Sequence, residues 1–123
     1  MELKKKEFAL GDILSVTTGI LMSRRHIDGV YDILGFMTGC GLMTHELIRA
    51  NEVCSPYILK QHPQLEGLEV PTLYRDKELI FKWLEEREEE FGETIEIEIL
   101  PEGAYKRKNP IEEIMNIRNA KRT

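Results

Sequence analysis

Residues 94–100, TIEIEIL, place the tightest constraint on how this chain folds. Ile95, Ile97 and Ile99 alternate with Glu96 and Glu98, and Pro101 ends the run. That period of two is a strand with one buried and one solvated face. A strand cannot stand alone, because its backbone donors and acceptors need partners. Segments 8–10, 18–22, 68–73 and 104–107 are the candidates within the chain, and a second subunit is the alternative. An unpaired edge invites pairing between copies, and two-fold dimers are the commonest closed solution. A homo-oligomer, with a dimer favoured, is therefore expected.

The rest of the chain reads mainly as helix. Ile13, Leu14 and Thr17 follow Gly11-Asp12 with helical spacing, which predicts a short helix at 12–18 with Asp12 as cap and Gly19 as break. Val16-Thr17-Thr18 is also compatible with a strand. Val30, Ile33, Leu34 and Met37 form one helical face after Asp28, a good N-cap, and Gly39-Cys40-Gly41 ends that helix. Thr44 then caps a further helix, with Met43 stapled to Ile48 and with Leu47, Ile48 and Val53 on its apolar side. Ser55-Pro56 reads as a fresh turn and Pro63 as a stop. Asp76 caps a long amphipathic helix whose inward residues are Leu79, Ile80, Trp83, Leu84 and Phe91, and Gly92 terminates it. Asn109-Pro110 opens a last helix carrying Ile111, Ile114 and Met115. The fold class is α+β: a single, mostly helical domain over 1–123 with a small antiparallel sheet, residues 1–6 being a loose arm.

Composition excludes several classes. At 123 residues, 41% hydrophobic and 32% charged, the chain is long enough for one core and too apolar to be disordered. No apolar run approaches the roughly 18 residues that span a bilayer, so no membrane partner is expected. Two cysteines are too few for a disulfide framework, which fits reduced thiols in a cytoplasm. The net charge of −5 argues against nucleic acid as a partner. The acidic run Glu85–Glu90, extended by Glu96 and Glu98, is a solvated helix face first and a mimic of nucleic acid second. Arg24, Arg25, Arg107 and Lys108 would form a local basic patch if their segments met.

Residues 24–63 hold all three histidines and both cysteines. His26, Cys40, His45, Cys54 and His62 lack the paired spacing of a zinc site, so no metal and no cofactor is expected. No local signature surrounds Cys54 as a nucleophile, and Gly11–Gly19 lacks the lysine of a phosphate loop. Thr44-His45-Glu46 lies at a predicted helix start, where free N–H groups attract anions, and Arg24, His26 and Arg49 add charge or donors. Arg24, His26, Thr44, His45 and Arg49 are thus the candidate ligand- or partner-binding residues, with no catalytic residue assigned.

The chain also resembles a family of small uncharacterised proteins encoded mainly by bacteriophages and prophages. The matching pattern is Phe8 to Gly19, Asp28-Gly29-Val30-Tyr31-Asp32-Ile33-Leu34, Phe36-Met37-Thr38-Gly39, and Thr44-His45 with Leu47. It continues through Cys54 with Pro56-Tyr57, Gln61-His62-Pro63, Gly92-Glu93, Gly103 and Asn109 to Ile114, with Asn109 in place of a more usual aspartate. The resemblance implies an accessory protein in a bacterial host cytoplasm. Such a protein would act by binding: inhibiting a host factor such as anti-phage defence machinery, or sequestering a small nucleotide signal. A small enzyme acting on a nucleotide or phosphate ester is the alternative, and a virion or assembly component the second alternative.

Overall fold

A computed structural model describes residues 5–71, 76–101 and 103–105. Among them the order is β1 (Lys5–Ala9), α1 (Leu10–Thr18), α2 (Ile27–Thr38), α3 (Leu47–Gln61), α4 (Lys77–Phe91) and β2 (Thr94–Glu98). Short 3-10 turns at Thr44–Glu46 and Pro63–Leu65 flank α3. The α+β reading holds, with helices dominant and a two-stranded antiparallel sheet. The predicted helix at 109 lies outside the described residues, as do Arg107 and Lys108.

The strand at 94 finds its partner inside the chain. Phe8 faces Ile95 and Lys6 faces Ile97, and the ladder extends one step as Leu10 N–H donates to Glu93 O at 2.8 Å. Lys5 and Lys6 therefore belong to β1, so the expected loose arm through residue 6 is too long. The other edge of β2 is also covered. The Gln61 carboxamide accepts from Glu98 N–H at 2.9 Å and donates to Glu98 O at 3.4 Å, while His62 Nε2 lies 2.6 Å from Glu96 O. The side chains ending α3 thus stand where a third strand would bond. Glu96 O and both backbone groups of Glu98 on the outer edge of β2 are thus bonded within the chain, which weakens the motive for expecting a dimer.

Helix α1 packs against β1 and all three other helices, and every residue from Leu10 to Val16 is buried. So enclosed, α1 buries Asp12 and Ser15 along with its apolar residues. Around it gather Ile33, Leu34 and Met37 of α2, Ala50, Cys54 and Ile58 of α3, and Ile80 and Leu84 of α4. Gly19 and Gly39 end α1 and α2 in the left-handed conformation, which glycine enters without steric cost. Asp76 caps α4 as expected, its Oδ1 accepting from Glu78 and Leu79 N–H.

Several local expectations need correction. Asp12 does not cap α1. Ala9 holds that position, and Asp12 is buried within the first turn. His26, at φ 55°, precedes α2 in place of Asp28, which sits in the first turn. Ser55-Pro56 opens no new turn: α3 runs through Pro56 without a break. The 15-residue helix keeps its other bonds and tolerates one lost N–H. No strand forms at 68–71 or at 104–105, the described parts of two candidate segments, and 18–22 is helix end and loop. Leu79 and Ile48 face solvent rather than the core, and Met43 is exposed too, so no staple buries the latter pair. Cys40 and Cys54 are free thiols.

Candidate functional site

The predicted site residues lie beside two polar clusters, one in the turn between α1 and α2 and one at the entry to α3. The first cluster fills the turn between α1 and α2. Ser23 Oγ donates to Asp12 Oδ1, and Arg25 donates to Asp12 Oδ2 at 2.5 Å and to Asp32 at 3.1 Å. Ser23 Oγ also accepts from Arg25 N–H at 3.1 Å. Ser15 Oγ takes Met22 N–H at 2.9 Å and passes its own proton to Gly11 O. Asp12, Ser15 and Ser23 are buried, so the carboxylate is out of water but fully bonded. The Asp12 hydrogen bond leads the causes that hold the Arg25 guanidinium above its usual pKa. Gly29 makes room for this packing. A Cβ there would lie 2.2 Å from Ser23 Oγ and 2.3 Å from Asp12 Oδ1.

Arg24, next in the chain, is clamped to α4 by two bonds of 2.6 Å to the Glu88 carboxylate. His26 is exposed at the start of α2. Neither arginine of this turn is an uncommitted phosphate ligand, and the imagined basic patch of Arg24 and Arg25 is neutralised by Glu88, Asp12 and Asp32.

The second cluster surrounds the entry to α3. Glu46 is fully buried, its Oε1 accepting from Met43 N–H at 3.1 Å and its Oε2 from the Tyr105 hydroxyl at 3.0 Å. The Arg49 guanidinium lies over the Tyr105 ring, 4.9 Å from its centroid. Burial raises the Tyr105 pKa, and the Glu46 bond adds to the rise against the opposing influence of Arg49. Thr44 was expected to cap; instead its hydroxyl meets that of Tyr31 at 2.9 Å, and the capping anion is Glu46. The positive end that was to attract an external anion therefore already holds an internal one. His45 is exposed on this turn.

His62 closes the far end of α3, about 22 Å along the axis from its first turn at 1.5 Å per residue. His45 and His62 thus stand at opposite ends of one helix and do not converge with His26 in one cleft. Among the described residues no group of three His, Cys, Asp or Glu side chains is placed to hold a metal ion. No helix among them is long and apolar enough to cross a membrane.

Between the clusters runs a groove of about 360 Å³. Leu21 and Ile27 line one side and Leu47 and Ile48 the other, with Asn51 and Glu52 at the edge. Leu21, Ile27 and Ile48 are 51%, 44% and 75% exposed, three of the five large hydrophobic side chains that face solvent among the described residues. Ile27 follows His26 directly, and Leu47 and Ile48 lie between His45 and Arg49. Residue types drew attention to the polar residues and missed the apolar ones between them. Helical periodicity had assigned Ile48 to the core.

Comparison with curated proteins and with solved structures returns no match. Residues 8–68, from the end of β1 past α3, match the family model described as Domain of unknown function (DUF7736), a span that holds all five predicted site residues and the lining of the groove.

Proposed function

We propose that this protein acts by binding rather than by catalysis, and that its partner is another protein received on the α1–α2–α3 groove. The observation that carries this reading is the gathering of Leu21, Ile27 and Ile48, all solvent-facing, on one surface. Contiguous exposed apolar surface with a polar rim is typical of protein contact sites. The nucleotide-sequestering version has less support, because Arg24 and Arg25 are committed to carboxylates and Glu46 fills the helix start. His26, Thr44, His45 and Arg49 then serve as rim residues around the apolar centre. The setting is the one the family resemblance implies: a phage accessory protein that engages a host factor in the bacterial cytoplasm. The decisive experiment is affinity capture from host lysate with wild type and with Ile48→Asp, whose exposed side chain contributes little to folding. A host protein retained by wild type and lost with Ile48→Asp supports the reading. Capture unaffected by Ile48→Asp and Ile27→Asp, or turnover of a phosphate ester by the purified chain, overturns it. If the groove instead receives a second copy, light scattering reports a dimer that Ile48→Asp dissociates.

A further inference from the structure

A second cleft of about 590 Å³ lies between the end of α2 and the segment following β2. Phe36, Thr38 and Cys40 form one wall, and Leu100, Pro101 and Tyr105 the other. Leu100 N–H donates to Met37 O at 3.0 Å and ties the walls together behind. Both aromatic rings are anchored. Phe36 rests against Phe8 with centroids 5.4 Å apart, and Tyr105 is held by Glu46 through its hydroxyl and by Arg49 over its ring. The rim is open at Gly39 and Gly103, where an added Cβ would meet nothing within 4 Å. None of the described lining residues carries a charge.

These features select a ligand chemistry. The volume falls in the range of roughly 300–1,000 Å³ typical of small-molecule sites. Fixed aromatic side chains favour stacking of another ring. None of the described lining residues supplies a countercharge for phosphate or carboxylate, whereas the two rings offer apolar faces. We infer that this cleft binds an uncharged planar aromatic ring the size of a nucleobase or an indole. The site is separate from the protein-binding groove, with which it shares no described lining residue.

The two cysteines make the test direct. Cys40 lines the cleft and is half-buried, whereas Cys54 is fully buried and its thiol is pushed up to about 12 by burial. Maleimide labelling of the native full-length chain, followed by intact mass, should modify Cys40 alone. Adenosine, indole and inorganic phosphate are the three probes. The ring that fits should slow Cys40 labelling roughly fivefold at about four times its Kd, and phosphate should have no effect. Protection by adenosine without indole identifies a nucleobase source, and the reverse an indole source. The cleft-filling variant Cys40→Phe should lose the amide chemical-shift changes that the ring causes at Phe36 and Tyr105. The inference is overturned if neither ring slows labelling, if phosphate protects as well as the rings, or if Cys40 does not label at all. Retention of ring binding by a folded Cys40→Phe overturns it too. Failure of Ile48→Asp to alter protein capture bears only on the groove.

Discussion

Gly29→Ala inverts an ordinary expectation and so tests the Asp12–Ser23 packing closely. Gly29 is the third residue of α2, and in an unconstrained helix interior alanine is more stable than glycine by about 1 kcal/mol. Here the new methyl would sit 2.2 Å from Ser23 Oγ and 2.3 Å from Asp12 Oδ1. Neither oxygen has free space to enter, since Ser23 is 2% and Asp12 1% exposed and Arg25 bonds both residues. Either the Ser23–Asp12 hydrogen bond breaks, at about 1.5–3 kcal/mol for a bond to a charged group, or α2 shifts away from α1. Overpacking of that second kind costs roughly 1–3 kcal/mol. Against the propensity gain the net is a destabilisation of roughly 0.5–2 kcal/mol, or a Tm lower by about 2–8 °C for a domain of this size. Urea unfolding should move the midpoint at constant slope. Ser23→Ala removes the nearer clash, so the double variant should be more stable than the sum of the singles by at least about 1 kcal/mol. A Gly29→Ala protein as stable as wild type, or more so, refutes the argument.

Four further outcomes follow from the same contacts. Leu34→Ala, at a fully buried position, should cost roughly 2–5 kcal/mol, whereas Ile48→Asp should stay within about 0.5 kcal/mol of wild type; equal losses would contradict the burial described. Glu46→Ala leaves Met43 N–H and the Tyr105 hydroxyl without their acceptor and should cost roughly 2–4 kcal/mol by denaturant titration, while Thr44→Ala, expected at about 1 kcal/mol had it been the cap, should cost less than about 0.5 kcal/mol. Pro56→Ala restores an N–H to an exposed position inside α3 and should stabilise by roughly 1–3 kcal/mol; a neutral or negative change would mean that the helix is broken there in solution. The Cys54 thiol, raised from 9.0 to about 12 in the folded chain, ionises more readily when unfolded. Its contribution is complete below pH 9 and is lost as pH rises toward 12, adding a decline of at most about 1.4 kcal/mol per pH unit that Cys54→Ala should lack. Parallel curves for the two proteins above pH 9 would count against that burial.

What could be read in advance follows the physics of each segment. Helix α2 was legible because one face is buried and the other wet, so Val30, Ile33, Leu34 and Met37 keep a 3.6-residue beat. Helix α4 was legible through Asp76 and Gly92 at its ends. Helix α1 was ambiguous with a strand because it is short and ends in the β-branched run Val16-Thr17-Thr18, which suits a strand as well. Pro56 was misread as a boundary because a proline's local cost is visible in sequence, and the packing of Ala50, Cys54 and Ile58 that overrides it is not. The candidate site was legible as a neighbourhood but not as chemistry. His26 and His45 do flank the groove in sequence, yet the partners that neutralise Arg24 and Arg25 come from 64 and 13 residues away. The buried Glu46 carried a faint signal, a glutamate three residues after a cap position held by Met43 instead of a hydroxyl residue.

The pairing of Gln61 and His62 with β2 bears on how this domain tolerates insertions and deletions. Gln61 meets Glu98 only because α3 ends at the rotational phase that points its carboxamide at the strand. Each residue added to or removed from α3 turns everything after it by about 100°. A one-residue change between Cys54, locked in the core, and Gln61 would swing the amide off the sheet and expose the backbone groups of Glu96 and Glu98. Helix length and sheet closure are thus one inherited quantity. Relatives that keep the sheet should vary freely in the 66–71 loop and hold the Cys54-to-Gln61 interval constant.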